Sequence, residues 1–240
     1  MPLGHDPPFA DVDNLYKTID VIQLGHVPWE SLTVMYQPKE GEDTNDVAWK
    51  QKSYKVWYCN PCEVLKIQLS NCDFENEMDF TVKKIVDSKT QVQHYQDYMS
   101  AQDQKNIGTT FCPIILGSDK TTVSIATGQN EYYPLYMSNR LIHNNVCCVH
   151  RNGVSLIAFM AIPKTDKEHE DSEGFRHFRQ QLFHASIHHI LQTLRLGMEE
   201  PEVLHYADGY YQKTLFGLGA YIADYPKQVL LSCVIQDWCP

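Results

Sequence analysis

The chain has no run near the roughly 18 apolar residues of a membrane-crossing helix, and its first residues, Met1 to Pro8, lack the basic and apolar regions of a secretion signal. It also has no Lys/Arg-rich cluster. With 20 Lys+Arg against 30 Asp+Glu the formal charge is −10, which repels a phosphate backbone if spread evenly and makes weak or absent DNA binding the expectation for this chain alone. Glycine and proline number only 12 each, too few for a collagen repeat, and 43% hydrophobic residues against 21% charged exclude a wholly disordered or coiled-coil chain. The 240 residues suffice for one large or two small cored domains. These absences place the chain in a reducing, intracellular compartment and not among secreted or membrane proteins, with no basic cluster of its own to favour the nucleus over the cytoplasm.

Cysteine is present, eight residues of it, but without a CxxC…CxxC repeat, so no complete zinc site is visible. Cys59 and Cys62 form a single CxxC where a strand meets a helix start, the place where a helix dipole stabilises a thiolate. A thiol-disulfide redox protein is therefore one reading, set back by the lack of a βαβ unit before the motif. Cys147 and Cys148 are adjacent, awkward as a disulfide or chelating pair, and read as buried small apolar residues.

Residues 1–53 mix Pro, Gly, Asp and Glu with two weakly amphipathic stretches and read as a weakly ordered arm. Residues 54–105 form a strand-helix accessory region. There Tyr54 to Tyr58 reads as a strand, and Asn60-Pro61 supplies a cap and a first-turn proline for a helix over 62–70. Residues 106–240 are better patterned. Phe111 to Leu116, Tyr133 to Met137 and Val154 to Ile162 read as three strands of an antiparallel meander. The charged loop Lys164 to Glu173 leads into a helix over Phe175 to Leu196 with apolar residues at helical spacing. His184 and His188 lie four apart on its polar face with His177 on the same side, and read as solvated surface histidines. Val203 to Tyr206 reads as a fourth strand, Leu215 to Ala223 as a helix stopped before Pro226, and Val229 to Ile235 as a fifth strand. The order is βββ-α-β-α-β, an α/β chain with a mixed sheet.

If the fourth strand pairs beside the first, Asp119 and Asp208 become neighbours. Two close carboxylates repel, and a divalent cation resolves the repulsion and can polarise a phosphoryl oxygen. In the plainer reading, Asp119 caps a turn and Asp208 fills an Asp-Gly turn. Spacing does not choose between them.

An ordered series of motifs does more. Pro113-Ile-Ile-Leu-Gly-Ser-Asp-Lys-Thr121, Tyr133-Pro-Leu-Tyr136, Tyr206-Ala-Asp-Gly209 and Ala220-Tyr-Ile-Ala-Asp-Tyr-Pro-Lys-Gln228 resemble the Plavaka transposases of fungi, in the Kyakuja-Dileera-Zisupton group of cut-and-paste DNA transposases. Trp57-Tyr58-Cys59-Asn60-Pro61 and Tyr95 to Ser100 are similar to further family landmarks. The resemblance implies an RNase H-like core using Mg²⁺ or Mn²⁺ held by three acids, and DNA as partner. Asp119 matches the first acid. For the second, Asp208 is preferred because it follows the fourth strand; Asp224 is the rival, at what reads as a helix end where C-terminal capping is the plainer role. The third, a Glu in a later helix, has no candidate before Pro240. The family pattern also carries a zinc knuckle of which Cys233 and Cys239 would be half. The expectation is a truncated, inactive core fragment, with self-association or protein binding through uncovered apolar surface as a noncatalytic alternative.

Overall fold

The computed structural model describes residues 11–14, 17, 27–38, 47–80, 85–94, 108–124, 130–143 and 153–233. Cys147, Cys148, Cys239 and the Tyr95 to Ser100 segment lie outside the described residues.

Two strands open the sheet: β1 (Trp29–Met35) pairs antiparallel with β2 (Ser53–Cys59), after a single helical turn, α1 (Ala48–Gln51). The expected strand-helix unit follows. Asn60 accepts from the backbone N–H of Cys62 at 3.0 Å and of Glu63 at 3.4 Å, and Pro61 opens α2 (Pro61–Ser70). That helix buries Val64, Leu65 and Leu69 at helical spacing, together with Gln68. The Gln68 amide is satisfied, donating to Ser155 Oγ at 2.9 Å and accepting from Asn139 Nδ2 at 3.2 Å, so its burial carries no unpaired-group penalty.

Two short strands, β3 (Ile85–Val86) and β4 (Gln93–His94), form a separate ladder. The meander is present as expected: β5 (Thr110–Ser118) pairs antiparallel with β8 (Pro134–Asn139), and β8 with β9 (Val154–Phe159). Between β5 and β8 a second small ladder, β6 (Thr121–Ser124) with β7 (Asn130–Tyr132), stands apart from the main sheet. The strongest sequence helix is α3 (Glu173–Leu191), capped by Ser172 Oγ, which accepts from the Phe175 N–H at 3.3 Å. A 3₁₀ turn links it to α4 (Arg195–Glu199).

The last third departs from the sequence reading. Leu215 to Ala223 is not a helix: Leu215 to Ile222 belong to β11 (Tyr211–Ile222), a twelve-residue strand parallel to β5. Leu215, Leu218 and Ile222 mimic a helical stripe, but Gly217 and Gly219 are poor helix formers and the Thr, Phe and Tyr positions suit a sheet. Gly217 has a packing reason: a Cβ there would stand 2.4 Å from the Phe111 ring of β5. The fourth strand, β10 (Glu202–His205), does not join β5; it pairs antiparallel with β11 at the sheet edge. Of the residues expected as the fifth strand, Val229 to Ser232 belong to α5 (Tyr225–Ser232), since a short apolar run fits either structure until flanking residues decide and Pro226 is suited to a first helical turn; Val234 and Ile235 lie outside the described residues.

The main sheet is a seven-stranded mixed sheet of order β1-β2-β9-β8-β5-β11-β10. Its central residues, among them Val56, Ile114, Leu116, Leu135 and Met137, form the larger core with Leu65 and Leu69 of α2 and Ile190 of α3. A second, aromatic cluster holds Trp49, Tyr54, Phe175 and Phe178 where α1 meets α3.

Candidate functional site

Parallel strands deliver their carboxyl ends to the same sheet edge, the position where ligands of α/β sheets gather. Here β5 and β11 are parallel, with Gly117 opposite Ile222, so Asp119 and Asp224 emerge together just beyond the paired residues. The β5–β11 register shifts between Leu218 and Ala220, an irregularity of the kind that re-aims side chains beside functional sites. Beneath the pair, Ser118 Oγ and Tyr221 Oη lie 2.6 Å apart across the two strands, and burial pushes the Tyr221 hydroxyl pKa up.

A single cation joins the two carboxylates. Lys227 Nζ is 3.3 Å from Asp119 Oδ1 and 3.1 Å from Asp224 Oδ1. The two aspartates are open to solvent, their side chains 76% and 50% exposed, while Lys227 is only 13% exposed. Asp224 occupies the N-cap position of α5, not a helix C-terminus as the sequence suggested, and its side chain makes no cap hydrogen bond. Its backbone carbonyl instead accepts from the N–H groups of Lys227 and Gln228, each at 3.0 Å. An N-cap carboxylate ordinarily accepts from the N–H of the second or third helical residue; the second here is Pro226, which has none. The Asp224 carboxylate instead meets the ammonium of Lys227, which also reaches Asp119.

Asp208 is elsewhere. It sits in the β10–β11 turn with Gly209, whose φ is +80°, accepting from the Tyr210 N–H at 3.0 Å and from Gln212 Nε2 at 3.3 Å. Since Thr214 pairs with Thr110 at the start of β5, the length of β5 separates Asp208 from Asp119. The structure therefore joins Asp119 to Asp224 and leaves Asp208 in the turn role. Sequence reasoning missed Lys227, although Asp224 and Lys227 at i,i+3 spacing are a legible ion-pair signal.

The cysteines take other positions. Cys59 and Cys62 are buried free thiols whose pKa values burial raises, the opposite of a reactive low-pKa thiolate. Cys233, exposed and at φ +57°, has its Sγ 3.3 Å from His184 Nε2. That ring nitrogen also lies 3.0 Å from the Leu230 carbonyl, so His184 packs beneath α5 and is not the solvated histidine expected. His177 and His188 are exposed. Among the described residues no group of three or more His, Cys, Asp or Glu side chains is placed to hold a metal ion. No helix of the described residues is long and apolar enough to cross a membrane.

Beside the acid pair opens a cleft of about 1140 Å³ between α3, α5 and the loop after β9. Arg176, Arg179, Lys164 and Lys120 line it with Lys227, alongside the acids Glu131, Glu170 and Glu173, so basic side chains outnumber acidic ones there although the chain is net −10. Three of these cations are engaged: Glu131 pairs with Lys120 at 2.8 Å and Lys164 at 3.1 Å, and Lys227 with the two aspartates.

A family model described as Plavaka transposase matches residues 9–240. No curated protein and no solved structure matches the chain.

Proposed function

The chain belongs to the Plavaka transposase family, which implies a DNA transposase, and from that premise we propose that Asp119 and Asp224 are two acids of its catalytic core. The topology supports an RNase H-like reading. Three antiparallel strands β5, β8 and β9, then α3, then β11 parallel to β5 put one carboxylate after the first strand and another after the fourth of that unit. Asp208, the acid preferred from sequence, gives way to Asp224 in this proposal.

The family suggests a divalent cation, and the donor set fits one: two adjacent, solvent-open carboxylates, hard oxygen ligands suited to Mg²⁺ or Mn²⁺ and already sharing a cation in Lys227. When bound, such an ion polarises a phosphoryl oxygen and activates water or a hydroxyl for in-line displacement. Asp119 and Asp224 would hold it. The arginine and lysine side chains of the cleft would bind the phosphates of a DNA strand and orient it toward the pair, a local attraction that overrides the unfavourable overall charge at short range. Two acids are fewer than the three the resemblance implies, so metal binding, and not turnover by this chain alone, is the appropriate readout.

The carrying observation is the convergence of Asp119 and Asp224 on one ammonium group. Titrating Mn²⁺ into the chain and following free Mn²⁺ by electron paramagnetic resonance tests it. Asp119→Asn and Asp224→Asn should each weaken binding at least about tenfold, and Asp208→Asn should leave it unchanged. Loss with Asp208→Asn but not with Asp224→Asn would sink the assignment.

A further inference from the structure

Lys227 approaches the acid pair from within the fold. Its ammonium lies 5.2 Å from the centre of the Tyr133 ring, with which it makes a cation–π contact, while both carboxylates face outward. The side chain starts in the first turn of α5, fixed by Pro226 and by the Lys227 N–H bond to the Asp224 carbonyl. An ammonium carried on a flexible four-carbon stem is a compact point charge, able to neutralise two oxygens without fixed bidentate geometry and able to withdraw.

We propose that Lys227 is a built-in counter-ion that holds Asp119 and Asp224 together before metal arrives and must be displaced from them for a divalent cation to bind. This rests on the reading of the pair as a metal site. Two carboxylates brought to one sheet edge repel, and the ammonium relieves that repulsion in the metal-free protein. The formal charges give the arrangement a second consequence. Two carboxylates and one ammonium sum to one negative charge, which repels a phosphodiester; adding a divalent cation while Lys227 stays nearby turns the sum to one positive charge. The site then attracts a DNA strand only once it is loaded. Metal binds first and nucleic acid second, with Lys227 released toward the cleft that Arg176 and Arg179 also line.

The test uses the full chain with Mn²⁺ alone as probe. Lys227→Met should tighten Mn²⁺ binding about tenfold, because the competing cation is gone, while Lys227→Arg should stay within about threefold of the parent. Without metal, Lys227→Met should lower the melting temperature, and adding Asp224→Asn to it should restore part of the loss by removing the uncompensated repulsion. Mn²⁺ affinity unchanged or weakened in Lys227→Met, in a chain whose parent binds Mn²⁺, would overturn the counter-ion proposal and leave the acid-pair assignment standing. If neither parent nor variant binds Mn²⁺, the metal reading fails and the proposal falls with it, even where the metal-free melting behaves as expected.

Discussion

The two ends of the β5–β11 pair carry polar residues in opposite ways. At the amino end everything is spent on the fold. Asp208 closes its turn, Tyr206 Oη and Thr214 Oγ1 meet at 2.9 Å, and Thr110 Oγ1 donates to Gln212 Oε1 at 2.9 Å. Tyr206 and Thr214 are fully buried there, and burial drives the Tyr206 hydroxyl pKa far up. At the carboxyl end Asp119 and Asp224 are exposed, Asp224 forgoes its capping bond, and one lysine serves both. The turn at one end takes up the hydrogen bonds of its carboxylate, whereas at the other two solvent-open carboxylates meet on one ammonium, and that difference is what the proposed assignment rests on.

The largest perturbation removes what joins the two ends. Phe216, 2% exposed in the middle of β11, packs into the main core, and Phe216→Ala should cost about 3–5 kcal/mol in urea unfolding. Both ends should fail together; a loss under about 1 kcal/mol would show that β11 is not the element holding them. Next, Tyr206→Phe deletes one buried hydrogen bond of the amino end and should cost about 1 kcal/mol while leaving Mn²⁺ affinity unchanged. A change in metal binding without a change in stability would reverse the assignment of the two ends. Asp208→Ala gives up the turn contacts for about 0.5–1 kcal/mol, again with no effect on Mn²⁺.

Much of this was legible before the structure because it is local. The Asn60 cap, the first-turn Pro61, the meander strands and the apolar stripe of α3 each depend on residues within a few positions of one another. The end of the first core strand at Asp119 was legible for the same reason. That Asp224 and not Asp208 lies near Asp119 was not, because it depends on which strand lies beside β5, a pairing between residues about a hundred positions apart. Leu215, Leu218 and Ile222 imitated a helix, which set the rival Asp224 at a helix end and made Asp208, at the end of a strand, the preferred acid. In the same way Val229 to Ile235 is a run short enough for a strand, and only the place of its first residues after Asp224 and Pro226 makes Val229 to Ser232 part of the helix that presents Lys227.

The smallest expected effect concerns the rim of the carboxyl end. Glu131 of β7 is held by Lys120 and Lys164, and its hydrogen bonds to those two ammonium groups lower its pKa from the ordinary value of 4.5. A carboxylate with a depressed folded pKa contributes stability that is fully present above the unfolded value and is lost as pH falls through the folded one. Melting measured from pH 6 down to pH 3 should therefore show a decline that begins near the unfolded value, of which Glu131→Gln removes a part by flattening the lower end of the curve. The same substitution frees Lys120 and Lys164 toward the cleft, so at neutral pH it should strengthen retention on a polyanion such as heparin. If the pH profile flattens and retention does not rise, these two lysines support only the β6–β7 ladder and its rim, and the phosphate contacts proposed for the cleft are left to Arg176 and Arg179.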